Sequence, residues 1–356
     1  MCFQGQLGAS FILPRRFLKG ILILRIMITS GAVATGIANI AMDGTVLDTW
    51  FPAPQLSDEV VESSTHRLGA ADLTPQLLRQ VILDEDRRVE QVAVRTSIED
   101  LSKPAVDPHD AYLRLHLLSH RLIKPHQLNT KGLYELLHVV AWTNKGPCLP
   151  DNFEQLRTHL RVRGLIHVYA IDRMPRMVDY VLPAGVRIAE AERVRLGAYL
   201  APGTSVLREG FVSLNSGTLG PCKIEGRLSS GVVIGAHTKV GLSASIIAAH
   251  DDYGQRKPLT IGERCHIDIA AGTVGVSLGD DCIIDRSILI APDTPIDVPA
   301  ENRRIQAWEI SGRDNMHFYH HPDHSAVCVR RTERSGNDEG AAAFAQLADV
   351  PDELAG

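Results

Sequence analysis

Histidine pairs and carboxylate-flanked histidines are the first groups in this chain whose spacing suggests chemistry. His116 and His120 are four residues apart within DAYLRLHLLSHRL (110–122), a spacing that sets two imidazoles on one helical face. Zinc needs a third ligand, and a metalloprotease also needs an acidic base between the histidines. The sequence offers neither, so the pair is expected on the helix surface. His250 is followed by Asp251 and Asp252, which suits a base held in orientation by a carboxylate. His237, His250 and His266 are the histidines a zinc centre could draw on further along, and His317, His320, His321 and His324 cluster in what reads as a polar tail. The six cysteines, Cys2, Cys148, Cys222, Cys265, Cys282 and Cys328, form no C-x-x-C pair. They fit reduced, buried thiols of a cytoplasmic protein better than a zinc ribbon or redox motif.

The bulk numbers narrow the setting. The 356 residues are 44% hydrophobic and 22% charged, with a formal net charge of -5. No basic face for nucleic acid is implied, and at 5% aromatic the chain has little to stack on bases. Near the N-terminus, Arg15, Arg16 and Lys19 precede the apolar run 20–24, with Ala32-Val33-Ala34 imitating a cleavage site. Arg25 interrupts that run, which is far short of the ~20 residues a membrane span needs. Residues 1–26 are therefore expected to be a mis-called start or leader, with Met27 as the natural start and no membrane partner.

Elements that position side chains come next. Residues 27–180 read as a mixed α/β domain. Ile37 to Trp50 alternates around an Asp43-Gly44 turn, a hairpin signal. Asp110 to Leu122 puts Leu113, Leu117, Leu118 and Leu122 on one helical face between Pro108 and Pro125.

From Val181 to about residue 300 the pattern changes. Ile188, Val194, Leu200, Val206 and Val212 recur every six residues, and Ile224 keeps that phase. The phase then slips: Leu228, Ile234, Val240 and Ile246 repeat at six, followed by Ile261 and Ile267, then Leu278, Ile284, Ile290 and Ile296. That period belongs to the hexapeptide parallel β-helix, whose aliphatics point into a narrow triangular prism. Glycines after the aliphatic, as in Ile234-Gly235, Val240-Gly241, Ile261-Gly262 and Leu278-Gly279, suit tight corners and positive φ. Residues 248–259 break the hexads and must leave the prism as a loop. Residues 301–356 are expected to form a C-terminal segment and mobile tail, with a helix over 339–347.

Several stretches resemble one family. LDTWFPAP (47–54), DPHDAYLRLHLLSHRL (107–122), AWTNKGPC (141–148), PRMVDYVLPAGVRIAEAERVRLGAYLAPGT (175–204) and EGRLSSGVVIG (225–235) are similar to actinobacterial tetrahydrodipicolinate N-succinyltransferases. The resemblance covers about residues 27–312. It implies a homotrimer with a left-handed β-helix that moves succinyl from succinyl-CoA to the amine of L-2-amino-6-oxopimelate, in lysine and diaminopimelate biosynthesis. It makes Glu225 of the Glu225-Gly226-Arg227 motif catalytic, either as general base or as a nucleophile forming an acyl anhydride. Arg227 would face a substrate carboxylate. Leu242, Ser245, Asp285, Arg286, Asp293 and Gln306 fall at donor or substrate positions, and Glu192 with Glu209 at magnesium ligands near the trimer axis. The chain departs from the family where Gln306 replaces a lysine and where Tyr319 and His320 lie near family arginines. Alternatives are therefore a divergent hexapeptide acyltransferase with another donor or acceptor, one using His250 as its base, a zinc hydratase on His237, His250 and His266, or a non-catalytic binding protein.

Overall fold

In the computed structural model the described residues are 30–251, 256–323 and 325–332. The expected helix over 339–347 and the leader over 1–26 lie outside them. Among the described residues no helix is long and apolar enough to cross a membrane.

The N-terminal sheet is built on strand Gly31–Ala41, which pairs antiparallel with Val46–Trp50, Gln55–Ser57 and Val89–Ile98. Its first hairpin turns where the sequence places it. Gly44 takes φ 91°, and Asp43 Oδ1 accepts a hydrogen bond from the Thr45 amide at 2.9 Å. A second, three-stranded sheet joins Val140–Thr143 to Gly146–Cys148 and Val168–Asp172.

The helix spans Pro108–Ser119, two residues earlier than the leucine pattern suggests. Asp107 caps it by accepting from the Asp110 amide at 2.7 Å, and Pro108 occupies the first turn, where its missing N–H costs nothing. Leu122 falls beyond the helix and is exposed. The helix is buried between the sheet and the first coils that follow. Ser119 Oγ receives the Gly197 amide at 2.8 Å, and a Cβ on Gly197 would stand 2.5 Å from Leu115 Cδ2. His116 is correspondingly buried, contrary to the expectation of a surface histidine. Its Nδ1 donates to the Tyr112 carbonyl at 2.7 Å and its Nε2 accepts from the Phe51 amide at 3.2 Å. Burial takes its pKa down to about 3, so it is a neutral structural crosslink.

Residues 187 to 290 form a prism of three parallel sheets. One face stacks Arg187–Ile188, Ser205–Val206, Lys223–Ile224, Lys239–Val240, His266–Ile267 and Ile283–Ile284. A second stacks Phe211–Val212, Arg227–Leu228, Ser245–Ile247, Gly272–Val274 and Leu289–Ile290. The third stacks Tyr199–Leu200, Gly217–Thr218, Val232–Ile234 and Leu259–Ile261. The hexad aliphatics Val206, Ile224, Val240, Ile267 and Ile284 make one buried interior column. Truncating one of them to alanine is expected to cost about 2–5 kcal/mol.

One corner shows how the coils hold their spacing. Thr204, Cys222, Thr238, Cys265 and Cys282 stack there. Each donates its hydroxyl or thiol to a carbonyl of the coil turn beside it: those of Gly220, Gly235, Gly262, Gly279 and Arg313, at 2.8–3.2 Å. The cysteines thus serve as small hydrogen-bonding wall residues. Gly235 and Gly262 are needed for close approach rather than positive φ: a Cβ would lie 2.6 Å and 2.4 Å from backbone of the next coil.

The prism is closed by its own chain. Pro295–Val298 turns back antiparallel as Arg303–Gln306, and Met316–Tyr319 then adds in parallel to Ile283–Ile284. Val327–Arg331 covers that strand antiparallel. The division expected at residue 300 therefore falls inside a hairpin. His317 lies in a strand of the cap instead of in a polar tail, and the sheet edge is paired.

Candidate active site

The phase slip in the hexads marks the candidate site. At the corner between the first and second faces, every other coil spends five residues between its inward-facing side chains, as from Val206 to Val212 or from Val240 to Ile246. Between Ile224 and Leu228, both fully buried, only Glu225, Gly226 and Arg227 intervene. The shortened corner lies recessed between two longer ones. Gly226 makes it possible, since a Cβ there would sit 2.4 Å from the Ala244 carbonyl oxygen and 2.8 Å from that of Gly241. The Glu225 amide donates to the Val240 carbonyl at 2.8 Å and the Arg227 amide to that of Ala244 at 2.7 Å, fixing the backbone of both residues to the next coil.

Glu225 is partly buried, and Lys223 Nζ stands 2.7 Å from its Oε1. Arg227 is exposed, its guanidinium 4.6 Å from the centre of the Phe211 ring one coil back, a cation–π contact that orients the fork. Ser245 is the register partner of Arg227 on the following coil, and Leu242 forms the exposed tip of that coil's corner. Glu225, Arg227, Leu242 and Ser245 therefore meet at one corner. Asp285 and Arg286 sit on the same corner three coils on, through the ladder from Glu225 to Val240, Gly241 to Ile267 and Asp268 to Ile284. Asp293 and Gln306 belong to the cap. Asp293 is exposed in the turn after Ile290, and Gln306 caps the short 3₁₀ helix Ala307–Ile310 in a reciprocal pair with Glu309.

The histidines expected as alternatives do not converge within the chain. His250 is exposed at the exit of strand Ser245–Ile247, on the corner between the second and third faces, away from Glu225. Its neighbour Asp252 lies outside the described residues. His266 projects from the first face beside Lys239, and His237 occupies a left-handed corner position at φ 61°. Among the described residues no group of three or more His, Cys, Asp or Glu is placed to hold a metal ion.

Glu192 and Glu209 lie on successive turns of the Glu225 corner, aligned by the pairing of Val194 with Val212. Glu192 is ion-paired with Arg176 at 3.1 Å, while Glu209 is exposed. Their oxygens suit a hard cation, but one chain brings too few of them together to complete a shell.

Lys223 went unnoticed in the sequence. Its signal is the two-residue spacing to Glu225 across a strand end, which reads as ordinary until the corner is known to be short.

Comparison with known proteins bears on the family of the chain. A family profile described as "Tetrahydrodipicolinate N-succinyltransferase middle" matches residues 137–176, the segment holding the three-stranded sheet. The 2,3,4,5-tetrahydropyridine-2,6-dicarboxylate N-succinyltransferase of Salinispora tropica is 43% identical over 287 residues, 80% of this chain and 88% of that protein. The enzyme of the same name from Pseudomonas paraeruginosa is 40% identical over 239 residues, 66% of this chain and 69% of that one. In fold, the chain is similar to the crystal structure of a 2,3,4,5-tetrahydropyridine-2-carboxylate N-succinyltransferase from Campylobacter jejuni. The TM-score is 0.73 at 21% identity, with 89% of this chain and 97% of that one covered. The extent and identity of the Salinispora match establish that this chain belongs to the tetrahydrodipicolinate N-succinyltransferase family.

Proposed function

We propose that the chain transfers succinyl from succinyl-CoA to the amine of L-2-amino-6-oxopimelate, the open form of tetrahydrodipicolinate, in lysine and diaminopimelate biosynthesis. The observation that carries this reading is the recessed Glu225-Gly226-Arg227 corner, in a chain 43% identical to a named N-succinyltransferase.

The reaction needs a proton acceptor beside an amine and anchoring for carboxylates. As the amine nitrogen bonds to the thioester carbonyl, Glu225 takes its proton, and the carbon–sulfur bond breaks to release the CoA thiolate. Lys223 Nζ, 2.7 Å from that carboxylate, holds it in position at the corner. Arg227 offers a planar fork to a substrate carboxylate. Backbone of the exposed coil edges at Leu242 and Ser245 would pair with the amides of the pantetheine arm.

A prism wall is a surface and not a pocket, so the site becomes enclosed only when another copy packs against it. We therefore infer a homotrimer of left-handed prisms in the cytoplasm, with the acceptor bound between neighbours. Three copies around an axis would gather Glu192 and Glu209 into a set of six carboxylates. Magnesium held there would neutralise their repulsion and secure the assembly, and no step of the transfer passes through it.

The test is donor choice. Purified protein is offered acyl-CoAs of different chain length and charge with an amino-dicarboxylate acceptor, and free thiol is followed. Succinyl-CoA should be preferred. A preference for acetyl-CoA would point to a divergent acyltransferase, and absence of turnover with every donor to a binding protein.

A further inference from the structure

The outward positions of the first face form a row that the hexad pattern does not advertise. Lys223, Lys239, His266, Ile283, His317 and Arg330 are successive register partners, alternating with the buried Ile224, Val240, Ile267, Ile284, Phe318 and Val329. On a chain of net charge -5 this is a line of basic and imidazole groups, starting beside Glu225 and ending on the C-terminal hairpin. Five inter-strand steps of about 4.8 Å make it ~24 Å long. That span is too great for an amino-dicarboxylate anchored at Glu225. It suits an extended nucleotide thioester whose reactive and phosphate ends lie far apart.

The far end of the row is prearranged. His317 Nε2 donates to Asp285 Oδ1 at 2.8 Å, and its Nδ1 accepts from Arg330 Nε at 3.2 Å. The Arg330 guanidinium also lies 4.9 Å from the centre of the Tyr319 ring. One nitrogen and one face of the guanidinium are thus fixed. Arg330 is exposed, and among the described residues it pairs with no carboxylate. Arg286 adds a second exposed cation on the corner beside Asp285. An arginine oriented in this way, with both terminal nitrogens left over, is a receptor for a phosphate group.

We propose that Arg330 is the specificity-determining cation for the donor, binding the phosphate end of the nucleotide thioester whose acyl end lies at Glu225. Asp285 acts at a distance, as a positioning group that holds Arg330 through His317. The proposal rests on the acyl-CoA reading above and adds to it a residue from the hairpin beyond the hexads.

The experiment compares wild type, Arg330→Gln and Arg330→Lys with two donors, succinyl-CoA and succinyl-pantetheine, which lacks the nucleotide phosphates. Losing a charge-assisted contact should raise KM for succinyl-CoA about tenfold in Arg330→Gln. Its kcat should hold, and turnover of succinyl-pantetheine should be unchanged. Arg330→Lys should recover part of the affinity, and His317→Gln should show the same KM-only effect more weakly. Equal losses on both donors, or an unchanged KM for succinyl-CoA, would overturn the proposal. If wild type turns over neither donor, the activity reading fails by itself. Calorimetric titration of CoA into wild type and Arg330→Gln then still decides the role of Arg330: weaker binding by the variant supports it, and equal binding refutes it.

Discussion

Lys223 Nζ lies 2.7 Å from Glu225 Oε1 across the end of a two-residue strand, at the one corner among the described residues where three residues replace five. The contact fixes the carboxylate that we propose takes the proton during amine attack. The shortened corner sets that carboxylate back between two longer corners. Both features depend on how coils are spaced, and this makes the spacing itself testable.

Gly226→Ala places a methyl 2.4 Å from the Ala244 carbonyl oxygen, in backbone that the next coil holds in place. Overpacking of this kind costs about 1–3 kcal/mol. The variant should melt earlier and lose activity as the corner is pushed outward. Gly69→Ala is the control, because its Cβ would meet nothing closer than Asp72 Oδ2 at 3.7 Å. Equal melting temperatures and rates for Gly226→Ala and wild type would remove the recessed corner from the account.

Acid should weaken the N-terminal domain in two stages. His116 is held neutral by burial, with its pKa at about 3 against 6.5 in the unfolded chain. The unfolded state therefore takes up this proton first as pH falls. The contribution is complete above pH 6.5 and is lost between there and about pH 3. Burial pushes Asp84 up, but hydrogen bonds from Arg163 and Arg87 outweigh it and hold the group at about 2. Its contribution is present above pH 3.8 and disappears toward pH 2. Thermal melts from pH 8 to 3 should show stability falling below pH 6.5 and more steeply below pH 4. His116→Gln should flatten the upper stage, leaving the part due to His109, His120 and His126, whose pKa values burial also lowers. An unchanged slope in that variant would contradict the assignment.

Assembly is the next expectation. Sedimentation should give a trimer at micromolar concentration. EDTA, or Glu209→Gln, should lower its melting temperature while leaving the isolated chain's fold intact by circular dichroism. A stable monomer would contradict the enclosed site, and a trimer indifferent to chelation would remove the magnesium.

Much of the scaffold was legible. Interior aliphatics at a six-residue period project the prism almost residue by residue, and Asp43-Gly44 marks its hairpin because only certain residues tolerate that turn. The slip between Ile224 and Leu228 was visible as a break in phase, but a break does not say which corner is shortened or what faces the gap. Lys223 and Arg330 were hidden for a related reason. Lys223 partners Lys239 sixteen residues on, Lys239 partners His266 twenty-seven on, and His317 meets Arg330 across an antiparallel hairpin. Irregular coil lengths erase any sequence spacing that would link them. His116 is buried against the sequence expectation because leucines mark only one buried face of a helix, and here Phe51 and Tyr180 pack edge-on against the imidazole and cover another.

The most direct test of the central claim is the rate of Glu225→Gln beside that of His250→Asn, both checked for trimer formation and donor binding. Glutamine keeps the shape of the side chain but cannot take the proton, so Glu225→Gln should lose ~10²–10⁴-fold in kcat. His250 stands on a different corner and should matter no more than a few-fold. An inactive His250→Asn with Glu225→Gln near wild type would contradict the account and move the chemistry to the loop after Ile247.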